Sequence, residues 1–323
     1  MKTSTDLQGL FINALHDKVP KRHELVRIIS ETLKIEKESA SRRLSGKVFF
    51  TVREIGILAL DLGISLDSLL MKGQDYNVIP FKLGIPRAVR SMDSLIHQME
   101  LLMDYHHKVC KEPAEMGIIF DTLPMEFCVE YPYLCKLMYF KWGHYFIGTQ
   151  EFNNFETWNM PDRLDKFHHQ MMEIYRDYDK VTYIWDYAVI WNLVNDILYF
   201  SHIHALNKDD VEFLKQDLHN MMENTENLAK GIKKNSNYPE EIVFYISNVN
   251  IEIYCAYHFS AKDYFCFFKN YFMQSAINTD YQTCNNIREW INSMKKVSTL
   301  ITDSGEKDRR LFFKTQHQYI EML

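Results

Sequence analysis

The chain has 323 residues, 46% hydrophobic and 25% charged, the balance of a globular protein rather than a fibrous or disordered one. A formal charge of −6 argues against indiscriminate nucleic-acid binding, and no apolar run reaches the length of a membrane span. Only 11 glycines and no Gly-rich phosphate loop speak against a nucleotide-binding α/β protein, while six cysteines without Cys-x-x-Cys spacing read as buried thiols of a reducing cytoplasm.

The N-terminus, MKTSTDLQGL, lacks the apolar core of a signal peptide, which fits a cytoplasmic location. Charge is unevenly spread. Residues 1–72 hold 12 of the 37 Lys/Arg and 9 of the 43 Asp/Glu, leaving 25 and 34 for the remainder. Aromatics divide too: Phe11, Phe49 and Phe50 are the only ones before residue 76. Two compositions imply a head at 1–72, a linker at 73–85 and a body at 86–323, with the boundary at the polar, proline-ended stretch KGQDYNVIP.

Five short helices are predicted in the head. Leu7, Leu10, Phe11 and Leu15 line one face of the first, and Leu25, Ile28, Ile29 and Leu33 that of the second. The third starts near Lys37 and stops at Gly46, a residue suited to a left-handed C-terminal cap. Thr51 with Glu54 forms a capping box for the fourth, Gly63 ends it, and Ser65 caps the fifth. Only Lys34 to Glu36 separate the second helix from the third, so the two must cross steeply. On the third helix, Ala40 and Leu44 point inward. Glu38 and Arg42 share the opposite face, edged by Ser39 and Ser41, with Lys37 at the start. A face of short polar residues and arginine suits a DNA major groove, where arginine bonds guanine O6 and N7 and glutamate accepts from cytosine N4.

The stretch from Glu24 to Leu70, with its Arg42–Lys47 segment RRLSGK and its Leu62–Ser65 segment LGIS, resembles the helix-turn-helix domain of λ-repressor-like, XRE-type regulators, nearest the BetR-type subgroup. The resemblance covers roughly residues 5–71. It implies double-stranded DNA as a partner and a homodimer as the binding form. It also implies that Lys37, Glu38, Ser41 and Arg42 read base edges, while Arg43 and Lys47 meet phosphates. Val26 and Arg27 stand where the family often has a small residue and Gln, which alters a contact usually made from that helix start.

The body reads as mostly helical. Helices are expected over 86–110 with Pro86 at the start, over YPYLCKLMYFKWGHYFIG to Gly148, after Pro161, and from Asn207 to Gly231. A single buried helix is expected over TYIWDYAVIWNLVNDILYFSHIHAL. GIIFDTLP is a strand or loop. Ile242, Phe244 and Ile246, then Val249, Ile251, Ile253 and Cys255, alternate like a small β-hairpin turning at Ser247–Asn248, although a helix could carry the same apolar residues. The end returns to helices, the last capped by Asp303 with Glu306. The fold class is therefore mainly α: a five-helix λ-repressor-like head plus a larger helical body with at most a small hairpin.

No enzyme signature is present. His106–His107 and His168–His169 are adjacent pairs whose members point about 100° apart on a helix, so no metal site is expected, and no cofactor is implied. Tyr183, Trp185, Tyr187 and Trp191 bunch closely enough to line a pocket or interface, although large core side chains explain them as simply. The expected function is a sequence-specific DNA-binding regulator. Its body would dimerise or sense a small-molecule or protein effector. The alternative is a protein-interaction scaffold in which the helix-turn-helix is a structural remnant.

Overall fold

The computed structural model describes residues 6–71, 82–83, 91–109, 114–234, 236–271 and 274–323. The linker expected at 73–85 lies outside the described residues except for 82–83, as does Pro86. The chain divides into two compact units: Met1–Lys82 with Asn278–Thr283, and Leu83–Ile277 with Cys284–Leu323.

In the first unit, α1 (Leu7–Lys18), α2 (Arg22–Leu33), α3 (Lys37–Leu44), α4 (Val52–Asp61) and α5 (Leu66–Met71) follow one another through short turns. They share a separate core in which Phe11, Leu15, Leu25, Ile29, Ala40 and Leu58 are fully buried. Lys34 takes the left-handed conformation at the end of α2 (φ 55°). The Ser30 hydroxyl then donates to the Ile35 carbonyl at 2.6 Å, which fixes the turn into α3.

The second unit overturns the mainly-α expectation. Among the described residues it is built on a mixed sheet with the strand order β1-β7-β6-β5-β2-β3-β4-β8. The strands are β1 (Lys82–Leu83), β2 (Ala114–Phe120), β3 (Lys180–Trp185), β4 (Glu241–Ser247), β5 (Cys255–Ser260), β6 (Tyr264–Tyr271), β7 (Gln274–Asn278) and β8 (Ser298–Leu300). Strands β2, β3 and β4 are parallel, and β5, β6 and β8 add antiparallel neighbours. Parallel strands need long crossovers. Here α7 (Pro132–Phe146) and α8 (Arg163–Arg176) link β2 to β3, and α9 (Val189–His202) and α10 (Lys208–Ala229) link β3 to β4.

One sheet face carries Ile118, Phe120, Val181, Tyr183, Trp185, Phe244 and Ile246. These join the core made with α6 (Met92–Val109), the crossover helices and α12 (Glu306–Ile320). Tyr183 stacks on Phe244 at 5.3 Å, and Phe127 meets the Tyr183 ring at 5.0 Å. The other face carries Glu115, Gly117, Tyr257, Phe259 and Cys266, and α11 (Tyr281–Met294) lies against it. Cys284 on α11 sits 3.7 Å from Cys266, and the Arg288 guanidinium lies 4.9 Å over Phe259 while pairing with Glu115.

Three local expectations are corrected with the fold. The run read as one helix from Thr182 is β3 followed by α9. Asp186 ends the strand by accepting from the Ala188 backbone N–H at 2.6 Å, and β-branched and aromatic residues before it favour the extended form. The hairpin at Ser247–Asn248 does not form, because β2 and β3 lie between β4 and β5. The chain instead crosses the carboxyl ends of these strands, held where Asp186 accepts from the Ile251 N–H at 2.7 Å. Asp303 does not cap the last helix. Gly305, left-handed at φ 70°, is its N-cap, and no side chain bonds there.

Candidate nucleic-acid interface

Helix α3 is eight residues long, too short to persist in water without support. Three connections hold it. Ala40 is fully buried and Leu44 nearly so, which seats it on α2 and α4. Gly46 reverses the chain at φ 71°, where the Lys47 and Val48 N–H groups both donate to the Arg42 carbonyl. Arg43 reaches across to α4 and donates to both oxygens of Glu54, at 2.9 and 3.3 Å. Glu54 also accepts the Thr51 N–H at 2.8 Å, and the Thr51 hydroxyl accepts in return from the Glu54 N–H, completing the capping box of α4. Burial pushes the Glu54 carboxyl upward. The bonds from Thr51 and Arg43 outweigh it and hold the carboxyl below the ordinary carboxylate range.

The outward face is then defined. Lys37, Glu38 and Arg42 are exposed, Ser41 is half-buried beside them, and Lys47 is exposed just past the helix. Arg43 is not on this face. Its side chain is only 17% exposed and its guanidinium is committed to Glu54 and the Ser39 carbonyl, so its expected place at a phosphate gives way to a structural tie. Arg27, where the resemblance leaves the helix start altered, is paired with Glu31 at 2.9 Å. Sequence reading missed three residues that extend the face. Phe50 turns inward against Phe11, but Phe49 is 73% exposed, and Val52 and Arg53 open α4 beside it. The consecutive pair Phe49–Phe50 is the only signal, since adjacent residues in an extended segment face opposite ways.

The aromatic group chosen in the body separates. Tyr183 and Trp185 are fully buried on β3. Tyr187 and Trp191 lie beyond the strand and, with Ala188 and Tyr319, line a surface depression of about 300 Å³. The Trp191 and Tyr319 rings meet at 5.4 Å, and Tyr187 packs edge-on against Phe312 at 5.2 Å. His168 is buried, accepts or donates at 2.9 Å with the Tyr139 hydroxyl, and is not paired with its exposed neighbour His169. The side chains of His106 and His107 lie outside the described residues. The five described cysteines are buried free thiols; Cys110 is outside the described residues.

Comparison with protein-family models, with curated proteins and with solved structures finds no match. Among the described residues no helix is long and apolar enough to cross a membrane.

Proposed function

We propose that the chain is a cytoplasmic, sequence-specific DNA-binding regulator whose first unit lays α3 in the major groove. The carrying observation is the division of α3 into a buried seat, Ala40 and Leu44, and an outward row of Lys37, Glu38, Ser41 and Arg42. Arg42 is the residue with the reach and fork geometry to bond a guanine edge, and Glu38 suits a cytosine amino group. Lys47 and Arg53 flank the row as exposed cations suited to phosphates, and Phe49 offers an apolar surface to a thymine methyl or sugar. Arg43 supports the row by holding α3 to α4. A homodimer would set two such helices in successive major grooves, roughly 34 Å apart. The acidic remainder of the chain, with 34 acidic and 25 basic residues outside 1–72, would be repelled by DNA and leave contact to the first unit.

Anisotropy titrations of the full chain with genomic and random duplexes at several salt concentrations test this reading. Affinity should fall steeply with salt, because binding releases counterions condensed on the phosphates and added salt reduces the gain from that release. Arg42→Ala should cost about 1–3 kcal/mol on the preferred site and flatten base preference, whereas Lys47→Ala should weaken all duplexes alike. Failure to bind any duplex at low salt would refute it and favour the scaffold alternative.

A further inference from the structure

Two histidines tie the last turn of α12 to α10. His219 Nδ1 and His317 Nδ1 stand 2.7 Å apart, and their ring planes differ by only 15°. The ring centroids are 5.0 Å apart, a separation that the N···N distance and the two ring radii together account for. The rings therefore meet edge to edge in nearly one plane and do not stack face to face. Imidazoles so placed share a nearly linear N–H···N bond, with one proton between the facing nitrogens. With none the lone pairs repel, and with two the hydrogens collide.

The neighbours decide where the other protons go. His219 Nε2 lies 3.0 Å from Glu321 Oε1, just beyond α12, and Lys215 pairs with the other oxygen of Glu321 at 2.9 Å. Lys215, with help from His219, holds the Glu321 carboxyl below the ordinary carboxylate range. A carboxylate only accepts, so His219 Nε2 carries a proton. In the neutral pair His219 Nδ1 is then the acceptor and His317 Nδ1 the donor. A first added proton enters at His317 Nε2 and leaves the bond in place. A second has only His219 Nδ1 left to take, and it breaks the bond.

The surroundings agree in sign. Burial lowers His317 from its ordinary 6.5, and the charge of His219 lowers it further, against the pull of Glu226, Glu223 and Glu321. A pair that resists a second proton shows this direction. The charged groups facing the pair are Lys215, Glu223 and Glu226 of α10 and Glu321 beyond α12. Asp196 of α9, the helix packed on α12, is bonded to Lys141 instead. Both rings are partly exposed, so protons reach them. We infer that His219 and His317 form a proton-sensitive clasp between α10 and α12, closed by the proton between the facing nitrogens and opened in acid by a second. The contribution of the clasp is present above 6.5 and is lost as pH falls through the lowered value. Opening loosens the turn that carries Tyr319 against Trp191.

Histidine ¹⁵N NMR of the full chain between about pH 8 and 4 tests the clasp. At the upper end a scalar coupling across the bond should join the two Nδ1 nuclei, with His317 as the Nδ1–H tautomer and His219 as the Nε2–H tautomer. The coupling should vanish in acid, and amide protection in the last turn of α12 should drop about tenfold or more with it. His317→Asn, whose amide can turn to donate or to accept, should keep that protection and lose its acid response. His219→Ala should show the weaker protection at every pH. If His219→Ala does not fold, the coupling in the unaltered chain and the response of His317→Asn decide. No coupling at any pH, independent titration of the two rings at the ordinary histidine value, or an acid response that persists in His317→Asn would overturn the assignment.

Discussion

At Arg43 the guanidinium closes on Glu54, and the same carboxylate holds the Thr51 N–H at the start of α4. One side chain therefore carries a helix cap and the tie between α3 and α4. Glu54→Ala should destabilise the first unit by about 1–2 kcal/mol through the lost cap alone. Arg43→Ala should loosen α3, with faster amide exchange in α3 and α4 and, on the proposed function, weaker DNA binding, whereas Arg42→Ala should leave exchange unchanged. The sign with pH follows from the lowered Glu54 carboxyl. Its contribution is present above the ordinary value of 4.5 and is lost as pH falls through the folded value. His168 acts over a higher window. Burial, helped by the charge of His169, lowers it from 6.5 to about 4 against the pull of Asp165. Its neutral form is favoured in the fold, so its contribution is present above pH 6.5 and declines toward 4. Urea midpoints followed across pH 4 to 7 should fall less steeply in His168→Gln than in the unaltered chain.

At the scale of elements, Gly117 on β2 shows what the sheet requires. A Cβ there would stand 2.3 Å from the Tyr257 ring on the paired strand, so the ring lies across the bare backbone. Gly117→Ala should cost about 1–3 kcal/mol, and less when Tyr257 is also cut to alanine, as a double-mutant cycle in urea would read. Helix ends and caps at Thr51, Asn207 and Gly231 were legible because they depend on neighbours three or four residues away. The sheet was not. Strand β3 hides in an apolar run that continues into α9, and only Asp186, bonding forward to Ala188 and across to Ile251, divides them. Alternation identified the segments of β4 and marked the residues near β5, but pairing between β5 and β2 joins positions more than a hundred residues apart, and no local pattern encodes it. Asp186→Ala should accordingly unsettle both β3 and the 248–254 crossing, by about 1–3 kcal/mol for each N–H left unpaired.

Over the whole molecule, two cores with different compositions stand in one chain, one aliphatic around α1–α5 and one rich in aromatics around the sheet. The exposed row on α3 could be read from the helical wheel, because burial of Ala40 and Leu44 follows directly from spacing. The commitment of Arg43 could not, since its partner lies on another helix. Nor could the small cavity that Glu126, Tyr131, Tyr175, Asn224 and Tyr238 line, which five separate segments assemble. Whether Arg42 reads a base, as proposed, is decided by selecting binding sites from a random duplex library. The full chain should enrich a defined site containing a guanine whose preference disappears with Arg42→Ala while the rest of the site persists. No enrichment by the full chain, or an unchanged site with Arg42→Ala, would contradict it.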